Sequence, residues 1–123
     1  EIAIVDANYP GDSAGPELVR LDGISATEVL DAVLTLMPLD TFVEEQAIGM
    51  AVVGEPNSRV PIHGEFDALV KKHEPDMKFT TMERFAFYDR VGDAYAVVQT
   101  GERRLDTLAM GIALLSVLMR VHP

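Results

Sequence analysis

Asp6 is the first side chain in this sequence whose type and place could serve chemistry. It follows the apolar run Ile2–Val5, which predicts a buried strand. Open α/β sheets bind ligands beyond the carboxyl ends of their strands, so a carboxylate at this point could accept hydrogen bonds from a ligand. The segment after it is rich in turn residues, including Pro10 and Gly11, and favours an Asp that only caps the turn. The residues alone leave both interpretations open.

Arg84 and Tyr88 are the second candidates. The stretch "ERFAFYDR", residues 83–90, alternates in a period of two, and this predicts a strand. Phe85 and Phe87 would then face the core, while Arg84 and Tyr88 share the opposite face. An arginine offers hydrogen-bond donors in a fixed fork that suits hydroxyl groups as well as carboxylates. The alternative is an Arg84 that pairs with an acidic neighbour on a solvated face.

Histidine is the side chain best suited to acid–base chemistry near neutral pH, and the sequence contains three. His63 precedes a helical pattern after Pro61, which predicts a polar residue at a helix end. His73 lies in the charged run "KKHEP", where a solvated side chain is expected. His122 stands beside the last residue, and a histidine at a chain end is usually solvated when it is considered alone.

Predicted strands and helices alternate along the chain and would position these candidates. Ser25 and Glu28 form a capping box that begins the clearest helix, and Pro38 ends it. A hairpin turn is predicted between the last two strands, at residues 91–93. The alternation predicts one α/β layered domain over residues 1–123. The predicted strands are residues 2–5, 18–23, 47–54, 83–90 and 94–101, and the predicted helices are 25–37, 62–74 and 105–123.

The composition restricts the classes of function. Asp and Glu outnumber Lys and Arg by 20 to 10, and the resulting net charge of -10 disfavours binding to nucleic acid. The sequence has no cysteine, so disulfides, thiolate metal sites and a cysteine nucleophile are excluded. No basic leader precedes an apolar run, and the apolar segment 105–121 is too broken to span a membrane. We therefore expect a cytoplasmic protein.

Several motifs give the sequence a family resemblance. "EIAIVDANYPGDSAGPELVRLDG", "LTLMPLDTF", "MERFAFYDR" and "AYAVVQTGERR" stand in the order and spacing of the D-ribose pyranase/L-fucose mutarotase family. The sequence resembles most closely the L-fucose mutarotase branch, from Glu1 to about Leu105. The stretch "RFAFY" followed by "TGER" is specific to this branch, and "DANYP" supports it.

The resemblance implies a three-layer α/β sandwich with a mostly parallel central sheet, assembled as a ring-like homo-oligomer, commonly a decamer. Family members interconvert anomers or ring forms of free monosaccharides without a cofactor or metal, and this branch implies L-fucose as the sugar. Asp6 and Arg84 match the family positions that contact the sugar. Tyr88, on the same predicted face as Arg84, would line the pocket or act as a second proton relay.

The sequence departs from the family pattern at both ends. Family members normally begin with a helix that leads into a "GHGDE"-like stretch carrying the catalytic histidine, and they continue after "GER" with a Tyr-Gly-Asn strand; both are absent here. Reading from "RVHP" back into "EIAIVDANYP" nearly restores the family's His-to-Asp spacing. This suggests circularly permuted termini with His122 as the catalytic group. The alternatives are a divergent tail in which His122 has no role, and a non-catalytic sugar-binding or structural ring protein.

Overall fold

A computed structural model describes residues 1–13, 15–40, 45–55, 57–103 and 111–114. The strands are β1 (Ile2–Val5), β2 (Glu17–Leu21), β3 (Ala47–Met50), β4 (Phe79–Met82), β5 (Ala96–Thr100) and β6 (Gly111–Leu114). The helices are α1 (Ala26–Leu36), α2 (Pro61–His73) and α3 (Arg84–Gly92), and a short 3-10 turn covers Gly11–Ser13. Within the described residues the six strands form one sheet in the order β2-β5-β1-β6-β3-β4.

The sheet is mostly parallel, and helices cover both of its faces. β5 runs parallel to β1 and β2, and β3 runs parallel to β4, whereas β6 is antiparallel to both of its neighbours. Side chains alternate across β1, so Ile4 packs into a core with α1 and α2, while Ala3 and Val5 pack with Phe87 and Val91 of α3. The predicted three-layer α/β sandwich is confirmed.

The helix α1 begins where the capping box predicts. The Ser25 hydroxyl accepts a hydrogen bond from the Glu28 amide at 3.2 Å and donates one to the Glu28 carboxylate, also at 3.2 Å. The cap satisfies an amide that has no partner within the helix. The position of this helix start matters because the next amide, that of Ala26, reaches the candidate site.

The stretch predicted as a strand, residues 83–90, instead contains the start of the helix α3, which runs from Arg84 to Gly92 after the N-cap Glu83. The Glu83 carboxylate accepts hydrogen bonds from the amides of Phe85 and Ala86 at 2.9 and 3.2 Å, and these bonds begin α3. The helix buries Phe87 fully but leaves Phe85 60% exposed. Glutamate is not among the preferred N-cap residues, so Glu83 is only a weak signal for a helix start.

Because α3 replaces the predicted strand, one prediction about this segment holds and another fails. Arg84 and Tyr88 still share a face, because residues four apart are neighbours on a helix surface. The predicted hairpin at residues 91–93 is wrong, since α3 ends at Gly92 and the chain continues directly into β5.

The predicted C-terminal helix is wrong where the structure describes it. Residues 111–114 form β6, which lies between β1 and β3, and Ile112 is fully buried. A short apolar run cannot be assigned to a strand or to a buried helix segment from its period alone. The rest of that predicted helix lies outside the described residues. β4 is a further strand that the sequence patterns did not indicate.

Candidate functional site

Asp6 lies at the carboxyl end of the sheet, as the sequence predicts. It directly follows β1 and is only 7% exposed. β5 ends at the same edge with Thr100, and the antiparallel β6 begins there, since Gly111 is paired with Val5. Carboxyl ends of parallel strands are where open α/β sheets place ligands, so Asp6 occupies the middle of the expected site.

The Asp6 side chain is also part of a turn. Its carboxylate accepts a hydrogen bond from the Asn8 amide at 3.0 Å. The Gln99 side-chain amide holds the turn from β5, donating to the backbone carbonyl of Tyr9 at 2.6 Å. Gly11 completes the packing, because a Cβ at this position would come within 2.7 Å of the Gln99 side-chain oxygen. The turn-capping and site interpretations are therefore compatible: the turn holds the carboxyl in place.

Glu102 is a second buried carboxylate at this edge. The sequence motifs include it only as part of "TGER" and not as a site residue. It is 6% exposed. Its backbone carbonyl accepts a hydrogen bond from the Ala7 amide at 3.0 Å, and its carboxylate accepts one from the Ala26 amide, the first of α1, at 3.2 Å. The Thr100 hydroxyl donates to the Val5 carbonyl at 2.8 Å and accepts from the Glu102 amide at 3.2 Å.

The pKa of Asp6 is raised above its ordinary value. Burial is the largest cause, because it disfavours the charged carboxylate. The amides of Asn8 and Tyr9 act in the opposite direction, and the negative charge of Glu102 raises the pKa further. The protonated form of Asp6 therefore persists to higher pH than that of an exposed aspartate.

Tyr88 contacts the Asp6 turn through Tyr9. The two rings meet edge to face, with centroids 5.5 Å apart and an angle of 71°. Tyr9 is 3% exposed, and burial together with Tyr88 raises its pKa to about 12, so it stays a neutral hydroxyl near neutral pH. The two tyrosines line a cavity of about 230 Å³ with Pro10 and Ser13. The sequence analysis missed Tyr9, although the predicted ligand-binding loop contains it.

Arg84 lies at the first turn of α3, away from Asp6. Its guanidinium stacks on the Phe85 ring, 4.4 Å from the ring centroid. It lines a cavity of about 180 Å³ with Glu83 and residues 52–54. β4, which precedes Arg84, is separated from β1 by β6 and β3, so the two strand ends lie about 14 Å apart at the usual strand spacing. The described residues thus place Arg84 and Tyr88 in different cavities.

A polar groove borders the Asp6 turn on its other side. Its volume is about 210 Å³. Arg20 donates to the Asp22 carboxylate at 3.1 Å at the rim of this groove. The groove is lined by Ala7, Arg20, Asp22, Gln99, Thr100, Gly101 and Arg103.

The three histidines fall in three different situations. His122 lies outside the described residues. His63 is at the start of α2 as predicted, but it is fully buried: one ring nitrogen accepts from the Val60 amide at 3.3 Å, and the other lies 2.9 Å from the Met50 carbonyl. Burial lowers the pKa of His63. The prediction of a solvated His73 is wrong, since its side chain is 18% exposed and lies 2.6 Å from the Asp31 carboxylate.

The described ranges contain no group of three or more His, Asp or Glu side chains that could hold a metal ion. Within the same ranges, no helix has the length and apolar character needed to cross a membrane.

Comparison with known proteins connects this site to one family. Residues 1–105, which include Asp6, Tyr88 and Arg84 but not His122, match the family described as the RbsD / FucU transport protein family. A fucose mutarotase of Danio rerio is 40% identical over 110 residues, 85% of this chain and 72% of the relative. The structure of the Streptococcus pneumoniae fucose mutarotase in complex with L-fucose is 38% identical, with a TM-score of 0.82 over 94% of this chain and 80% of that chain. Bacillus subtilis RbsD complexed with D-ribose shares the fold, at 18% identity and a TM-score of 0.64 over 94% of this chain and 81% of that chain.

Proposed function

We propose, because this chain belongs to the RbsD / FucU transport protein family, that it interconverts the α and β anomers of a free monosaccharide. L-Fucose is the expected sugar, since the relatives from Danio rerio and Streptococcus pneumoniae are named fucose mutarotases. The observation that carries the proposal is a buried carboxyl, Asp6, held at the ligand-binding edge of a sheet that has the fold of those relatives.

Anomers interconvert by opening of the ring hemiacetal to the free aldehyde and closure on its other face. Opening needs one proton delivered to the ring oxygen and one removed from the anomeric hydroxyl, and a positioned acid–base group accelerates such transfers about 10²–10⁴-fold. We assign the proton shuttle to His122 and the orienting role to Asp6. Asp6 would accept a hydrogen bond from a sugar hydroxyl or from the histidine, and the hydrogen bonds that fix its turn would keep the carboxyl in one orientation.

Arg84 and Tyr88 are the proposed binding residues on α3. Arg84 lies at the first turn of α3, which follows the carboxyl end of β4, and its guanidinium fork could donate to sugar hydroxyls there. Tyr88 packs on Tyr9 and so connects α3 to the Asp6 turn. Because Arg84 and Asp6 line different regions of one chain, we propose that a sugar contacting both also touches a neighbouring subunit of a homo-oligomeric ring. The ring, of decamer type, and the cytoplasm as its location are further parts of this proposal.

A sugar-binding protein without turnover is the second candidate. The absence of the Tyr-Gly-Asn segment after "GERR" favours it, since a site that loses polar partners for its substrate binds and turns it over less well. The same fold, with Asp6 and Arg84 as ligands for hydroxyls, would then bind the sugar only.

Magnetisation-exchange NMR on α- and β-L-fucose tests the proposal. The wild-type protein should exchange the anomers faster than buffer does, and Asp6→Asn should slow that exchange by up to about 10²-fold, because Asp6 orients the reacting groups. Asp12→Asn is the matched control, because Asp12 is an exposed aspartate in the neighbouring 3-10 turn. His122→Ala examines the shuttle in the same assay.

Two results would decide against parts of this proposal. Equal rates for the wild type and Asp6→Asn would remove Asp6 from the mechanism, and equal rates for His122→Ala would remove the shuttle. Calorimetric binding of L-fucose without any exchange above buffer would favour the binding protein.

A further inference from the structure

Glu102 joins three segments of the chain at the candidate site. Its backbone carbonyl accepts a hydrogen bond from the amide of Ala7, the residue directly after Asp6. Its carboxylate accepts a hydrogen bond from the Ala26 amide at the beginning of α1. The preceding residue, Gly101, donates its amide to the Ile24 carbonyl at 2.8 Å. The Asp6 turn, the end of β5 and the start of α1 are thereby fixed to one another through two consecutive residues.

The Glu102 carboxylate shares the buried carboxyl edge of the sheet with Asp6. Both carboxyl groups are more than nine-tenths buried, so solvent screens their repulsion poorly. Burial is the largest cause of the raised pKa of Asp6; the amides of Asn8 and Tyr9 lower this pKa, and the negative charge of Glu102 raises it by less than burial does. The groove beyond Ala7 adds further charged side chains: Arg20, Asp22 and Arg103.

We propose that Glu102 is a positioning residue for Asp6: its two hydrogen bonds tie the Asp6 turn to the first turn of α1, and its side chain adds a second carboxylate at the same buried edge of the sheet. This role rests on the proposed function, in which Asp6 contacts the sugar or the proton shuttle. A protonated Asp6 donates a hydrogen bond, whereas an ionised Asp6 only accepts. The charge of Glu102 adds to the burial of Asp6 in extending the protonated form of Asp6 to higher pH.

The Glu102→Gln variant tests the negative charge of Glu102 separately from its hydrogen bond to the Ala26 amide, which we call the tether. Glutamine keeps a carbonyl oxygen that can accept from the Ala26 amide but removes the negative charge. In carbon-13 NMR, with the Asp6 carboxyl assigned by its loss in Asp6→Asn, the pKa of Asp6 should be lower in this variant than in the wild type. Glu17→Gln is the control for net charge, because Glu17 is exposed at the start of β2, and it should leave the Asp6 titration unchanged.

The Glu102→Asp variant provides the complementary change. It keeps the charge but withdraws the carboxylate from the Ala26 amide by one methylene. The Asp6 titration should remain raised, while the amide of Ala26 should exchange its hydrogen faster. This variant still tests the tether if Glu102→Gln does not fold, because unchanged hydrogen exchange at the Ala26 amide would contradict it.

The pH profile of anomer exchange connects this inference to function. In Glu102→Gln the acidic limb of the rate should move to lower pH together with the Asp6 titration. An Asp6 titration and a rate profile that both coincide with those of the wild type would overturn the inference. If the wild type exchanges no anomers while the Asp6 titration still moves, the proposed function fails and the coupling between the two carboxyls stands.

Discussion

Phe87 and Phe85 provide a matched pair that tests the assignment of α3 as a helix. Phe87 is fully buried and lies in the core between α3 and the sheet. Its ring meets the Tyr9 ring edge to face, with the ring centroids 6.3 Å apart. Truncation to Ala removes a whole buried ring, so Phe87→Ala should lower the free energy of unfolding by about 3–5 kcal/mol. Phe85 is 60% exposed and its ring contacts only Arg84 and Tyr88 among the contacts that the described residues show, so Phe85→Ala should cost about 1 kcal/mol or less.

Urea denaturation followed by circular dichroism measures both changes. A loss of about 3–5 kcal/mol is a large part of the stability of a small domain, so Phe87→Leu serves as a milder variant that keeps the protein folded. A strand with both rings on its core face would make the two truncations equally costly. Equal costs, or a larger cost for Phe85→Ala, would therefore refute the helical assignment of residues 84–92.

Two further predictions concern backbone packing and pH. Gly101→Ala should destabilise the protein by about 1–3 kcal/mol in urea denaturation. The added Cβ would lie 2.0 Å from the Asp22 carbonyl oxygen and would force the β2–α1 turn away. A Gly101→Ala variant as stable as the wild type would contradict this close approach. His63 has a pKa below its ordinary value of 6.5 when folded, so the unfolded chain binds a proton first as the pH falls. Stability from this residue is thus complete above about pH 6.5 and lost as the pH falls through the folded pKa. Below that pH the urea midpoint of the wild type should decline, and His63→Gln should make this decline smaller. His73→Gln should leave the decline that His63 causes unchanged. An equal decline in the wild type and His63→Gln would contradict the assignment of this loss of stability to His63.

Local signals in the sequence were sufficient for the elements that have strong ones. The capping box at Ser25 predicted the start of α1, and the apolar run before Asp6 predicted β1. Both signals are local, since a cap needs only its own turn and a buried parallel strand is apolar throughout. The place of Asp6 followed from β1 alone.

The failures occurred where tertiary contacts decide between alternatives. The alternation in residues 83–90 fits a strand, but the contact of Phe87 with the sheet selects the helix. Residues 111–114 fit a helix or a strand, and their pairing with both β1 and β3 selects the strand. Tyr9 and Glu102 were missed as site residues because their importance comes from partners far away in the sequence, Tyr88 and Ala26.

The place of β6 in the sheet has a consequence for synthesis of the protein. It follows the other described strands in the chain, yet it lies between β1 and β3 and joins the parallel group β2-β5-β1 to the parallel group β3-β4. Until residues 111–114 leave the ribosome, each group presents an open edge of unpaired backbone groups, which is a template for pairing with other chains. The hazard of aggregation is therefore greatest late in translation, when both half-sheets exist and their shared strand is still missing.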